Sequence, residues 1–146
     1  MQAAVLAEGV AIVFTAITLG GMVVFTGFFA PQVFRRLPEE VAAPFMREVF
    51  APYYLFMLVT TSIGALAAFA ARPDQPADAF ILAFVAVGFV IARWYLMPMA
   101  HRLHDAREQG EAGADEAFGS VHRRSTFLFM AQTLAILAAL LRLGLG

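Results

Sequence analysis

Three stretches of this chain carry no charge: 26 residues from Gly9 to Phe34, 23 from Val49 to Ala71, and 17 from Ser125 to Leu141. A soluble domain of 146 residues needs charge around its whole circumference, so runs of this length require lipid as solvent. Composition agrees, with 61% apolar residues and 14% charged, where an average globular protein is roughly 45–50% apolar. A fourth run, from Ala79 to about Met97, is interrupted only by Arg93. About 20 apolar residues of helix cross the roughly 30 Å of a bilayer core. Barrel strands would alternate polar and apolar residues, and none of these runs does. The expected fold is an all-α integral membrane protein. It is a single membrane domain over residues 1–146, a four-transmembrane-helix bundle with helices at about 9–34, 49–71, 79–98 and 125–142, built from two helical hairpins with cytoplasmic interhelical loops.

The ten basic residues, all arginine, orient the bundle. Arg35, Arg36 and Arg47 lie between the first two spans, and Arg102, Arg107, Arg123 and Arg124 lie between the last two. The opposite side holds only Arg72 and Arg142. By the positive-inside rule, loops 35–48 and 99–124 face the cytoplasm and both termini lie outside, which for a bacterial protein means the inner membrane. Tyr53, Tyr54, Trp94 and Tyr95 mark the same interface, where Pro31, Pro38, Pro44, Pro52 and Pro98 also gather. The N-terminal segment has no basic residue ahead of its long apolar run, and reads as a retained span and not a cleaved signal. The outer face looks plain by comparison.

The two hairpins share a pattern. At an offset of 67 residues, Gly21 falls on Gly88, Phe28 on Tyr95, Pro31 on Pro98 and Arg35 on Arg102. Each span also offers small residues four apart, as in Ala16/Gly20, Gly64/Ala68, Gly88/Ala92 and Ala131/Ala135/Ala139, steps that let helix backbones approach closely. Gly20, Gly21, Gly64 and Gly88 are therefore the expected packing positions. Leu37-Pro38-Glu39-Glu40 reads as the start of a short helix, and Asp105 to Glu116 as a mobile turn between helix extensions.

Few residues offer chemistry. Arg93 is the one charge inside a span; it snorkels to the interface or pairs with Glu48, the alternative being contact with a ligand or ion. His101 and His104 are three apart on one helix face, and with His122 they have the residue types for a metal site. The simpler reading makes them interfacial side chains. No cofactor is expected, neither metal ion nor haem, because no histidine lies within an uncharged run. With no Cys, thiolate sites and disulfides are excluded. A net charge of −1 gives no basic field for nucleic acid. No span holds a carboxylate, and no nucleophile elbow, phosphate loop or HExxH motif is present.

Gly20-Gly21-Met22, the run from Phe28 to Arg35 and the run from Val49 to Tyr54 resemble the transmembrane protein 205-like family of domains of unknown function. The second half continues the resemblance with Pro98, with Phe118-x-x-x-His122-x-x-Ser125, and with Gln132. The family often has Asn seven residues after that His, where this chain has Phe129. The resemblance implies a four-helix integral membrane protein without a settled activity, and it makes His122, Ser125 and Gln132 candidate polar positions. Ser125, one turn after His122, reads as a helix cap or a ligand contact.

These readings lead to a small, non-enzymatic component of the bilayer, a homo-oligomer or an accessory subunit of a larger membrane complex. The alternative is a small transporter or metal-handling protein with a cytoplasmic vestibule around Arg93, His101, His104 and His122. An oxidoreductase holding haem or quinone lacks its ligands.

Overall fold

A computed structural model describes residues 1–145. Four helices make up almost all of it: α1 (Gln2–Arg36), α2 (Glu39–Ala71), α3 (Ala77–Glu108) and α4 (Ala114–Leu145). All four are long and apolar enough to cross a membrane. They run up and down in turn, with α1 against α2, α2 against α3, and α4 closing the ring against α1 and α3.

The helices overrun the expected bounds of 9–34, 49–71, 79–98 and 125–142. The uncharged run measures the hydrocarbon, whereas the backbone ladder continues into water wherever no residue stops it. A 33-residue helix such as α2 is about 50 Å long against roughly 30 Å of hydrocarbon, so its charged end stands clear of the lipid. The segment expected as a separate short helix after Leu37 is accordingly the first turns of α2. At the other hairpin, the chain turns between Gln109 and Gly113, with Gly110 and Gly113 at φ of 72° and 80°, a region that favours glycine.

The helices show few interruptions, and two of them match. A π-helical turn, Phe25–Phe29, precedes Pro31 in α1, and another, Ala92–Leu96, precedes Pro98 in α3. The amide N–H of Ala30 reaches Phe25 O, and that of Met97 reaches Ala92 O. Proline supplies no N–H and clashes with the carbonyl four residues back, and widening the preceding turn relieves that clash. Both π turns fall at the 67-residue offset seen in the sequence.

The core holds Met22, Met57, Leu82, Val85, Phe89, Ile136 and Ala139. Large apolar side chains such as Phe28, Phe80, Phe84, Phe127 and Leu134 point outward, a surface that only lipid covers without penalty. Four threonines lie inside hairpin one. Thr18 Oγ1 donates to Thr60 Oγ1 at 2.9 Å, and Thr61 Oγ1 lies 3.5 Å from Thr18 Oγ1. Such bonds join helices where lipid provides no hydrophobic drive between them.

Three of the four expected packing glycines do that work. Any Cβ at Gly21 would lie 2.5 Å from the Met57 methyl, at Gly88 2.6 Å from Gln132 Nε2, and at Gly64 3.3 Å from Thr15 Oγ1. Gly20 is the exception, with nothing within 4 Å of that position. It faces outward because one helical step of about 100° separates it from Gly21.

The end of the bundle that holds the chain termini carries more chemistry than its sequence suggested. Arg72 at the end of α2 bonds Glu8 of α1, and Arg142 near the end of α4 bonds Asp78 of α3 at 2.5 Å. Each hairpin is thus clasped at its open end by an acid on its first helix and an arginine 64 residues later.

Candidate functional site

The arginine-rich end is where the hairpins part. The α1–α2 and α3–α4 pairs splay, and a cavity of about 550 Å³ opens between them. Phe34, Met46, Phe50, Tyr54, Leu96 and Met97 form its apolar wall; His101, His104, Arg107, His122, Ser125, Arg47 and Glu39 bring polar atoms. Its volume is within the roughly 300–1,000 Å³ usual for small-molecule sites.

Two ion pairs span the gap from α2 to α3. Arg47 Nη2 donates to Asp105 Oδ1 at 2.5 Å, and Arg107 Nη2 approaches Glu39 Oε1 at 3.6 Å. These residues lie past the lipid-covered parts of their helices. The hydrogen bond from Arg47 holds the Asp105 carboxyl below its ordinary range. Partial burial, with Arg47 nearby, lowers the His101 imidazole, so its ring is neutral at pH 7 and offers one donor and one acceptor.

Phe118 of α4 organises the polar end. The His104 ring meets it edge-on at 6.0 Å, the His122 ring stacks at 6.5 Å, and the Arg107 guanidinium lies over it at 5.5 Å. His104 Nδ1 is buried without a hydrogen-bond partner. Among the described residues Arg107 makes no hydrogen bond, its nearest carboxylates being those of Asp115 and Glu39 at 3.5 and 3.6 Å.

The expected site residues divide clearly. His101, His104, His122 and Ser125 all line the cavity. The three histidines share it without meeting at one centre; the donor atoms that converge, within 4.8 Å of one another, belong to His104, Asp105 and Glu108. All three stand on one helix, and Asp105 is already engaged by Arg47. Ser125 is not a cap, because α4 begins eleven residues earlier at Ala114, and its hydroxyl donates to Val121 O instead. Gln132 is a packing residue, fully buried, with its Nε2 donating to Val85 O at 2.9 Å.

The Arg93–Glu48 pair does not form. Glu48 is exposed, while its neighbour Arg47 turns toward α3 and finds Asp105. Arg93 lies in the π turn over the Trp94 ring at 5.3 Å, with its Nε buried and unpartnered. Neither residue lines the cavity. The sequence reading did not single out Arg47, Arg107 or Phe118 as site residues, although Phe118 belonged to the Phe-x-x-x-His-x-x-Ser pattern.

The sequence matches the family described as Domain of unknown function (DUF4149) over residues 13–109. The chain belongs to that family. The DUF4149 segment runs from the first span to the end of α3 and contains every cavity residue except Phe118, His122 and Ser125. No curated protein and no solved structure matches the chain.

Proposed function

We propose that the protein is a non-enzymatic, multi-pass component of the bacterial inner membrane that holds a small molecule in the vestibule between its hairpins. The observation that carries this reading is the cavity itself, since a bundle built only for packing has no need to part its hairpins around 550 Å³. The reading keeps both termini outside and loops 35–48 and 99–124 in the cytoplasm, on the strength of the arginine distribution. It places the protein nearer the vestibule alternative raised by the sequence than a purely architectural role, and it treats the likeness to transmembrane protein 205-like domains as kinship in sequence pattern. A cysteine replacing Gly113 is expected to resist impermeant thiol reagents in intact cells, and labelling from outside would reverse the orientation.

The vestibule is tested by native mass spectrometry of protein extracted in mild detergent. The wild type is expected to carry a bound small mass that an Ala100→Phe variant, whose larger side chain fills the cavity, has lost. Wild-type protein that is always empty overturns the reading.

A second reading, a homo-oligomer or an accessory subunit of a larger membrane complex, has support of its own. Gly9, Ala16, Gly20 and Gly27 share an exposed face of α1, with open space beyond all three glycines. Small residues facing lipid are a common basis for helix association. Cross-linking through a cysteine at Gly20, the chain having none of its own, distinguishes a second copy from a different partner by mass.

A further inference from the structure

We infer that the vestibule takes an anionic amphiphile, its carboxylate or phosphate head held by Arg107 and His104 against Phe118 and its hydrocarbon tail lying along Phe50 and Leu96. This rests on the vestibule reading above and names the ligand class.

The argument starts from the distribution of polar atoms. The cavity wall nearest the middle of the bundle is apolar, and donors are concentrated at the cytoplasmic end. That end stands beyond the ends of the apolar runs, so a molecule lying in the cavity has its head toward water and its tail toward the hydrocarbon, the same polarity as a lipid in that leaflet. The cavity follows α2 from Glu39 to Tyr54, about 22 Å of helix, which suits a chain-like ligand.

The donors then select the sign of the head. Arg107 is held over Phe118 at 5.5 Å by a cation–π contact, and its N–H fork makes no hydrogen bond, only loose ion pairs with Asp115 at 3.5 Å and Glu39 at 3.6 Å that a closer anion can replace. Its two carboxylate neighbours are more than 3.4 Å away and largely exposed, Glu39 at 74% and Asp115 at 87%, so water screens them strongly. His104 packs on the same ring with a buried Nδ1 that makes no hydrogen bond, the Glu108 carboxylate standing 3.6 Å off, and a head that bonds it removes the cost of that unsatisfied atom. A cation would find less. Asp105 is engaged by Arg47, and Glu108 is 67% exposed.

The test uses the full chain in nanodiscs of zwitterionic lipid, with laurate, dodecyl phosphate, dodecanol and inorganic phosphate as probes, and reads binding by calorimetry. Laurate and dodecyl phosphate are expected to bind once per chain, with dodecanol and inorganic phosphate each at least about tenfold weaker, as loss of one charge-assisted hydrogen-bonded group implies. Arg107→Gln is expected to weaken both anions about tenfold and to leave dodecanol unchanged, with an unaltered melting temperature as the check on folding. Dodecanol binding as tightly as laurate, or Arg107→Gln without effect on the anions, overturns the head-group assignment while the vestibule stands. Inorganic phosphate binding as tightly as dodecyl phosphate overturns the amphiphile. If no probe binds, or Ala100→Phe leaves binding intact in folded protein, the vestibule reading fails with it.

Discussion

The two hairpins repeat one plan and differ in what they do with it. Both have a glycine under a neighbouring side chain, then a π-helical turn, then a proline, at a constant offset of 67 residues (Gly21 and Gly88, Phe25–Phe29 and Ala92–Leu96, Pro31 and Pro98). Both are clasped at the open end by an acid and an arginine 64 residues apart. Hairpin one closes its arginine-rich end with apolar surface, the Phe25 and Tyr53 rings stacked at 3.9 Å and Ala42 and Met46 buried beside them. Hairpin two extends further past its proline and carries all three histidines there. A shared scaffold thus supports asymmetric chemistry, one half supplying most of the apolar wall and the other most of the donors.

The comparison is tested most severely at the matched glycines. Gly88→Ala drives a methyl group to 2.6 Å from a buried, hydrogen-bonded amide. It is expected to cost about 2–3 kcal/mol in thermal or denaturant unfolding in detergent. Gly21→Ala meets the flexible end of Met57 and should cost about 1 kcal/mol or less. Equal losses would mean that the two positions are packed alike. Next come the clasps. Arg142→Gln strands Asp78, whose side chain is only 6% exposed, and is expected to cost about 2 kcal/mol. Arg72→Gln releases the more exposed Glu8, for about 0.5–1 kcal/mol. A reversal of that order in melting temperature would overturn the ranking of the two clasps. Thr60→Val removes a hydroxyl link that hairpin two lacks, with a loss near 0.6 kcal/mol as measured for similar bonds in membrane bundles. Last, and alone in carrying no expected cost, Gly20→Ala should leave stability unchanged or raise it by a few tenths of a kcal/mol up to about 1 kcal/mol, and a clear loss would show that this face of α1 is covered.

Much of the scaffold was legible because charge reports hydrocarbon directly: the uncharged runs marked four spans, and the offset of 67 pointed to the matching helix breaks. Helix facing was not legible. In lipid the outside of a bundle is as apolar as its inside, so the 3.6-residue alternation that reveals a buried face in water is nearly erased. Glu48, offered as a partner for Arg93, differs by one helical step from Arg47, and it is Arg47 that faces α3 and meets Asp105. Gly20 and Gly21 differ in the same way. The histidines and Ser125 were found at the cavity because the arginine-rich end holds the few imidazole and hydroxyl side chains near the end of a span. Arg107 and Phe118 were missed because their role depends on α3 and α4 meeting, which no local pattern records. The buried threonines, each unremarkable alone, were missed for the same reason.

The clasps and the π turns together give the bundle the mechanics of tweezers. The open ends are pinned within each hairpin, and the backbone ladders of α1 and α3 are both interrupted at matching positions, just before the arms that flank the cavity. Bending concentrates where a ladder is already broken. Any bending of these two helices is therefore expected at one common level, with the Arg47–Asp105 and Arg107–Glu39 pairs tying the arms across the gap beyond it.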